Sequence, residues 1–169
     1  GVDVLDLPLQ EVRRRIAFVP QESFLFSDTI EKNILYGSSL ANSQDSAERS
    51  KLSRESTRLA CIAQDIDHFP NGYHTKLGER GVNLSGGQRQ RLTIARAIAR
   101  KPQVLLLDDC MSAIDAETEK NLIHGMFEAS EGISLILASH RTSSFIHLDW
   151  AILLEDGKLS AQGKAADLM

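Results

Sequence analysis

Two adjacent glycines stand at the predicted start of a helix, in the segment Ser85-Gly86-Gly87-Gln88. The free backbone N–H groups and the positive dipole end of a helix's first turn attract anions, and glycine lets an anion approach them closely. Ser85 adds a hydroxyl donor for a phosphate. The structural alternative is that Ser85 only caps the helix and that the glycines relieve a tight turn. Taken alone, the glycines favour this alternative, although they cost helix stability and so require a reason.

Two acidic residues, Asp108 and Asp109, directly follow the apolar run 104–107 (VLLL). The run predicts a buried parallel strand, and ligands bind at the carboxyl ends of such strands in open α/β sheets. Asp108 is placed to hold Mg²⁺, directly or through water, because hard cations prefer carboxylate oxygens. Asp109 lies one step further out and could polarise an attacking water. The alternative, two acids that cap a turn, is weaker because adjacent carboxylates repel each other unless a cation or hydrogen bonds relieve them.

Two further polar residues follow predicted strands. Gln21 comes after the run 16–19 and Pro20, and His140 comes after the run 133–138. An amide at a strand end can ligate a metal and orient water, and a histidine there could bind a γ-phosphate or relay a proton. Considered singly, a loop glutamine is usually only solvated and a lone histidine is more often structural.

The composition is that of one compact globular domain of 169 residues, with a net charge of −4 that gives no indication of nucleic-acid binding. Cys61 and Cys110 lack metal-site spacing and are expected to be free thiols in a reducing compartment. Every apolar run is far shorter than the ~18 residues needed to span a bilayer. We therefore expect the chain itself to be soluble, so that another segment or subunit would carry it to a membrane.

The elements that position these residues follow from hydrophobic period and turn signals. Strands are predicted over 16–19, 104–107, 133–138, 150–154 and 158–161, with turns at 70–72 and 156–157. Helices are predicted over 28–36, 41–60, 85–100 and 116–129. Ser43, Ser85 and Asp115 are the expected caps, and Leu52 and Leu59 the expected anchors of the second helix. Strands that alternate with helices favour a parallel α/β sheet, here with a mainly helical insert near 24–100.

The order of these motifs resembles that of the nucleotide-binding domain of an ABC (ATP-binding-cassette) transporter. The corresponding segments are the Q-loop at 18–21 (FVPQ), the signature motif at 84–88 (LSGGQ), the Walker B strand at 104–108, the D-loop at 112–115 and the switch histidine, His140. The resemblance covers essentially the whole chain.

The resemblance implies an α/β fold: a partial P-loop NTPase core of the ABC ATPase type, with a mostly parallel sheet and an inserted α-helical signature subdomain. Residues 1–169 would form one truncated domain, divided into a core lobe of 1–23 and 101–169 and a helical subdomain of 24–100.

The resemblance also implies a role for each residue at the strand ends. Asp108 and Gln21 would hold Mg²⁺, and Asp109, His140 and Gln21 would serve the hydrolysis of ATP. The implied cofactors are therefore ATP and Mg²⁺.

The signature residues imply a partner. In the family, Ser85-Gly86-Gly87-Gln88 contacts the ATP held by an opposing nucleotide-binding domain, and Asp115 belongs to the D-loop at that interface. The implied partners are a second nucleotide-binding domain and the transmembrane domains of a transporter, with no nucleic acid. The implied location is the cytoplasmic face of the cell membrane.

Two segments favour export over import. Residues 75–81 (TKLGERG), with Glu79 and Arg80, resemble the X-loop through which exporters meet the coupling helices of their transmembrane domains. Residues 24–30 (FLFSDTI) are likewise similar to exporter sequences after the Q-loop. The alternative for Glu79 and Arg80 is an ordinary solvated turn.

The chain departs from the family in two ways. No segment fits the phosphate-binding pattern G-x-x-x-x-G-K-[ST], which the family places upstream of the Q-loop. We therefore expect a truncated domain that binds ATP weakly by itself and exposes an unpaired strand edge prone to self-association. The second departure is Asp109, where active members carry glutamate. This resembles the weakly hydrolysing half of a heterodimeric exporter, whose intact signature motif completes the partner's site.

Two other functional classes are open on the sequence. One is a soluble ABC-family ATPase of DNA repair or translation, against which the acidic balance and the segment 75–81 count. The other is a non-catalytic interaction fragment, which the missing phosphate-binding loop favours for the chain taken alone.

Overall fold

A three-stranded parallel sheet forms the centre of the computed structural model, which describes residues 2–81, 83–129, 132–141, 144–145 and 148–168. Its strands are β1 (Ile16–Val19), β2 (Val104–Asp108) and β3 (Ser134–Ala138), in that spatial order. Val19 pairs with Leu107 and Asp108 pairs with Ala138. The carboxyl ends of all three strands therefore lie at one edge of the sheet, as the sequence predicts.

The sheet is buried on one face only. Val19 and Leu107 are buried, while Phe18 on the opposite face is 54% exposed and Ile136 is 57% exposed. The apolar run before Asp108 was predicted to be a buried strand, but only alternate residues of it are buried. Within the described residues, β1 and β3 each pair on one side only.

The last two strands form a separate antiparallel sheet. Strands β4 (Trp150–Glu155) and β5 (Lys158–Lys164) pair with each other. Asp156 and Gly157 connect them, with φ angles of 48° and 73°. Two residues at positive φ make the tight turn of a hairpin, and a parallel pair would require a far longer crossover. The predicted turn is confirmed, and this antiparallel pair stands beside the parallel sheet of a mixed α/β fold.

Among the described residues, four α-helices lie between β1 and β2 along the chain: α2 (Ile30–Leu35), α3 (Ser46–Leu59), α4 (Ala63–Asp67) and α5 (Gly86–Ala99). Helix α6 (Ala116–Ala129) lies between β2 and β3 with the bounds that the sequence predicts. No helix within the described ranges is long and apolar enough to cross a membrane. The helical insert is thus observed, and its exact division from the core lobe stays a prediction.

Helix α3 starts later than predicted, because Asp45 rather than Ser43 caps it. The Asp45 carboxylate accepts the N–H groups of Ala47 and Glu48, at 2.9 and 3.0 Å. A carboxylate satisfies two backbone donors at once and interacts favourably with the helix dipole, which a serine hydroxyl does less well. The predicted anchors Leu52 and Leu59 are both buried.

Helix α1 (Leu9–Arg15) was not predicted, because charge pairs rather than an apolar face stabilise it. Glu11 contacts Arg14 and Arg15 at 3.0 and 2.7 Å, the spacings of neighbours on one helix face. Hydrogen bonds from these two arginines lower the pKa of Glu11 to about 2. Hydrophobic periodicity does not reveal such a helix, because charged residues rather than apolar ones lie on its face.

Arg96 joins α5 to the segments around α2. Its guanidinium donates to the backbone carbonyl of Asn33 at 2.8 Å, to that residue's side-chain oxygen at 2.7 Å and to the carbonyl of Phe24 at 2.8 Å. Burial lowers the pKa of Arg96 to about 10. Asn33 is itself buried, so its polar atoms depend on these partners.

Replacing Arg96 with methionine should lower the free energy of unfolding by about 2–4 kcal/mol, because the two acceptors of the buried Asn33 lose a charged donor. Urea denaturation followed by circular dichroism measures this change. The exposed Arg58 on α3 provides the control: Arg58→Met should cost less than about 0.5 kcal/mol. Equal effects for the two variants would contradict the role of Arg96.

Candidate active site

Three polar side chains meet where the parallel strands end. Gln21 follows β1, Asp109 follows β2 and His140 follows β3. The Asp109 carboxylate accepts from Gln21 Nε2 at 3.1 Å through one oxygen, and its other oxygen lies 2.9 Å from His140 Nδ1. The structure thus brings together the three residues that the sequence singled out for hydrolysis.

Asp109 can reach both neighbours because its backbone turns out of the strand. Its N–H still donates to the Ala138 carbonyl at 2.9 Å, but its φ angle is 41°, in the left-handed region. Aspartate tolerates this region better than most residues. The side chains around it are accessible: His140 is 69% exposed and Asp109 is 24% exposed.

Asp108 is the last residue of β2 and is exposed. In the part of the chain that the structure describes, its side chain makes no hydrogen bond or ion pair. Among the described residues, no group of three or more His, Cys, Asp or Glu could hold a metal ion by itself. The single carboxylate of Asp108 fits Mg²⁺, which binds through one or two carboxylates together with water and substrate phosphates.

Cys110 follows Asp109 but points into the core. It is fully buried, and burial raises the pKa of its thiol to about 12. A protonated thiol is a poor nucleophile and a poor metal ligand, so Cys110 contributes packing rather than chemistry.

The capping box predicted at the start of α5 is confirmed. Gln88 N–H donates to Ser85 Oγ at 3.2 Å, and Ser85 N–H donates to Gln88 Oε1 at 3.0 Å. The Gln88 amide also donates to Asp65 at 2.8 Å, and Asp65 accepts from Arg91 at 2.9 Å. Asp65 was missed in the sequence because it lies in the short α4, far from its partners along the chain.

Gly87 is required by a close backbone contact. A Cβ atom at this position would lie 2.8 Å from the carbonyl oxygen of Ala113, whereas a Cβ at Gly86 would lie 3.4 Å from the Ala113 Cβ. The alternative that the glycines serve close packing of the chain therefore has a physical basis at Gly87. It is compatible with phosphate binding, because glycine serves both purposes.

The segment 112–115 lies directly beside the first turns of α5. Gln90, which is buried, donates to Ser112 Oγ at 3.2 Å and accepts the N–H of Ala113 at 3.0 Å. Asp115 accepts the N–H of Thr118 at 2.9 Å and so caps α6, as predicted. Hydrogen bonds from Thr118 lower the pKa of the Asp115 carboxyl. Gln90 was missed because only the fold brings its partners close.

Glu79 and Arg80 lie in a short 3₁₀ turn, Glu79–Gly81, where Glu79 is exposed. The chain just before this turn pairs with the segment around residues 28–30. Ile30 N–H donates to the Thr75 carbonyl and Leu77 N–H donates to the Asp28 carbonyl, both at 3.0 Å. The two segments that favour export in the sequence are therefore neighbours in space.

A model of the ABC transporter family matches residues 1–112. The chain belongs to the ABC transporter family. It is 42% identical over 166 residues to the uncharacterized ABC transporter ATP-binding protein YfiB of Bacillus subtilis, covering 98% of this chain and 27% of that protein. It is 37% identical over 169 residues to the probable multidrug resistance ABC transporter ATP-binding/permease protein YheI of the same organism, covering 100% and 28%.

The fold of this ABC transporter chain matches a solved structure as well. A bacterial Atm1-family ABC exporter with ATP bound superposes with a TM-score of 0.86 at 37% identity, covering 98% of this chain and 28% of the exporter chain. The chain thus spans roughly a quarter of the length of the curated relatives. The family and the α/β ATPase core with helical segments, both predicted from the sequence, are confirmed.

Proposed function

We propose that the chain is part of the ATP-hydrolysing domain of an exporter, in which two such domains close over ATP and drive transport. One observation carries the proposal: Gln21, Asp109 and His140 meet at the carboxyl edge of the parallel sheet. Relatives named as multidrug resistance and export proteins support it, and they disfavour a soluble ATPase of DNA repair or translation.

At this chain's own nucleotide, Asp108 would hold Mg²⁺, which neutralises charge on the transferred phosphoryl group. An ionised Asp109 carboxylate only accepts hydrogen bonds, so His140 Nδ1 carries the hydrogen between them. The other ring nitrogen, Nε2, can then donate to a phosphate oxygen only when the ring is protonated. Gln21 orients the Asp109 carboxylate from the opposite side.

Both oxygens of Asp109 are therefore engaged by protein groups, on a side chain one methylene shorter than glutamate. Such a carboxylate is poorly placed to polarise a water, so we infer weak hydrolysis at this chain's own site. The first turn of α5, with Ser85, Gly86, Gly87 and Gln88, would instead complete the site of a second, non-identical nucleotide-binding domain. Charge stabilisation by that helix end would assist catalysis there.

An exposed aromatic cluster is the proposed contact with transmembrane domains. The Phe24 and Phe26 rings pack edge to face with their centroids 5.1 Å apart, and the centroids of the Phe26 and Tyr36 rings are 4.4 Å apart. Phe24 is 50% exposed and Tyr36 is 56% exposed. Exposed aromatic groups mark protein interfaces, and Glu79 and Arg80 follow a segment paired to this region. We therefore propose that the domain lies at the cytoplasmic face of the membrane.

Mg²⁺-dependent ATP hydrolysis by the full-length protein with its partner domain tests this proposal. Replacing Asp108 with asparagine removes a charged oxygen ligand, so the Mg²⁺ concentration for half-maximal nucleotide trapping should rise about tenfold or more. Asp156→Asn, in the β4–β5 turn, is the matched control and should leave that concentration unchanged. Hydrolysis that is absent, or that ignores Mg²⁺, would overturn the proposed function.

A further inference from the structure

The residue after His140 makes a set of contacts that the hydrolysis site does not use. Arg141 Nη1 donates to the Ile114 carbonyl at 2.9 Å and contacts Glu119 at 2.7 Å, while Nη2 donates to the Ser112 carbonyl at 2.9 Å. One guanidinium thus holds two backbone carbonyls and a carboxylate. The planar guanidinium presents its donors in a fixed fork that spans these separate acceptors, whereas lysine offers a single compact ammonium.

Glu119 is almost fully buried, with 3% of its surface exposed. One of its carboxylate oxygens pairs with Arg141, and the hydroxyl of Ser144 donates to the other. Ser139 Oγ accepts the N–H of Arg141 at 3.1 Å and lies 3.3 Å from Ser144 Oγ. Arg141 and Ser144, which follow His140, therefore attach its loop to a buried acid of α6.

The same segment 112–114 is also held by α5. Gln90 bonds to Ser112 and Ala113, and Gly87 lies against the Ala113 carbonyl. Arg141 and α5 therefore both contact segment 112–114. Arg141 is also joined to His140 by one peptide bond, so the two residues move together.

We propose that Arg141, itself held by the buried carboxylate of Glu119, is a positioning residue that holds segment 112–114 and links the His140 loop to the first turn of α5. This inference rests on the proposed function. In that function, His140 contacts the nucleotide bound by this chain, and the first turn of α5 contacts the nucleotide bound by the opposing domain. A displacement at His140 then reaches the other nucleotide site through Arg141, segment 112–114 and Gln90.

Amide hydrogen exchange in the nucleotide-free full-length protein tests the positioning directly. Arg141→Gln should increase exchange at the Ala113 amide about 5- to 30-fold, although Arg141 donates no bond to it and its partner Gln90 is intact. Arg141→Lys should give a smaller increase. Arg58→Gln, on the exposed face of α3, is the control and should leave Ala113 unchanged.

Hydrolysis by the full-length protein with its partner provides the second measurement. Arg141→Gln and Gln90→Ala should each lower kcat about 5- to 30-fold with KM for ATP within about twofold, because binding groups are untouched. The double variant should lose little more than either single one, since both act on one segment. Additive losses, or a fall in unfolding midpoint with unchanged kcat, would overturn the proposal.

Loss of Arg141 alone leaves a buried carboxylate, which can prevent folding. The paired change Arg141→Met with Glu119→Leu removes both charges and should fold while giving the same faster exchange at Ala113. Unchanged exchange in this variant would refute the positioning role. If the unsubstituted protein hydrolyses no ATP, the proposed function fails, whereas the exchange measurement still decides the role of Arg141.

Discussion

Replacing Asp109 with glutamate in the full-length protein should raise ATP hydrolysis at this chain's own nucleotide site by about 10- to 100-fold. The extra methylene carries the carboxylate about 1 Å further out, and a displacement of that size is worth on the order of 10²-fold in rate. The surroundings allow the longer side chain, because Gln21 is exposed and His140 is 69% exposed.

This prediction is measured as ATP turnover in a protein whose partner domain has lost its own catalytic carboxylate, so that only the site of Asp109 contributes. Asp156→Glu, far along the chain in the β4–β5 turn, controls for the added methylene and should change nothing. A rate that stays the same after Asp109→Glu would show that something other than carboxylate reach limits this site.

Replacing Gly87 with alanine should lower hydrolysis at the site that α5 completes by about 100-fold or more. The added Cβ would lie 2.8 Å from the Ala113 carbonyl oxygen, closer than such atoms approach, so α5 or segment 112–115 must shift. A shift of about 1 Å at the helix start misplaces the N–H groups that would face phosphate. The unfolding midpoint should fall as well.

Gly86 and Gly163 are the matched comparisons for Gly87. At Gly86 the added Cβ would lie 3.4 Å from a methyl group, so Gly86→Ala should lower the unfolding midpoint less than Gly87→Ala. At Gly163, in β5, it would lie 3.7 Å from the Leu168 side chain, and activity should be unchanged. Equal losses of midpoint at Gly86 and Gly87 would contradict the packing argument.

Local features were the most predictable. The bounds of α6, the capping box of α5 and the turn at Asp156 and Gly157 depend on residues within four positions of one another. The parallel order of β1, β2 and β3 followed from the helices between them. Gln21, Asp109 and His140 were each predicted to follow a strand, and they meet because parallel strands align their carboxyl ends.

The errors have physical reasons too. Helix α1 was not predicted, because charge pairs rather than an apolar face stabilise it. The start of α3 was misplaced because two residues nearby can cap a helix and the carboxylate of Asp45 does so.

The amino-acid sequence by itself determined the family, the motifs and which residues are candidates for the chemistry, because these depend on residue type and on spacing along the chain. Only the tertiary structure decided the partners: Gln90 with Ser112, Gln88 with Asp65, and Arg141 with Glu119. Each pair is more than 20 positions apart in sequence, so no local period or propensity specifies it. Packing of α4, α5, α6 and the strand ends brings these part-buried side chains within hydrogen-bond distance.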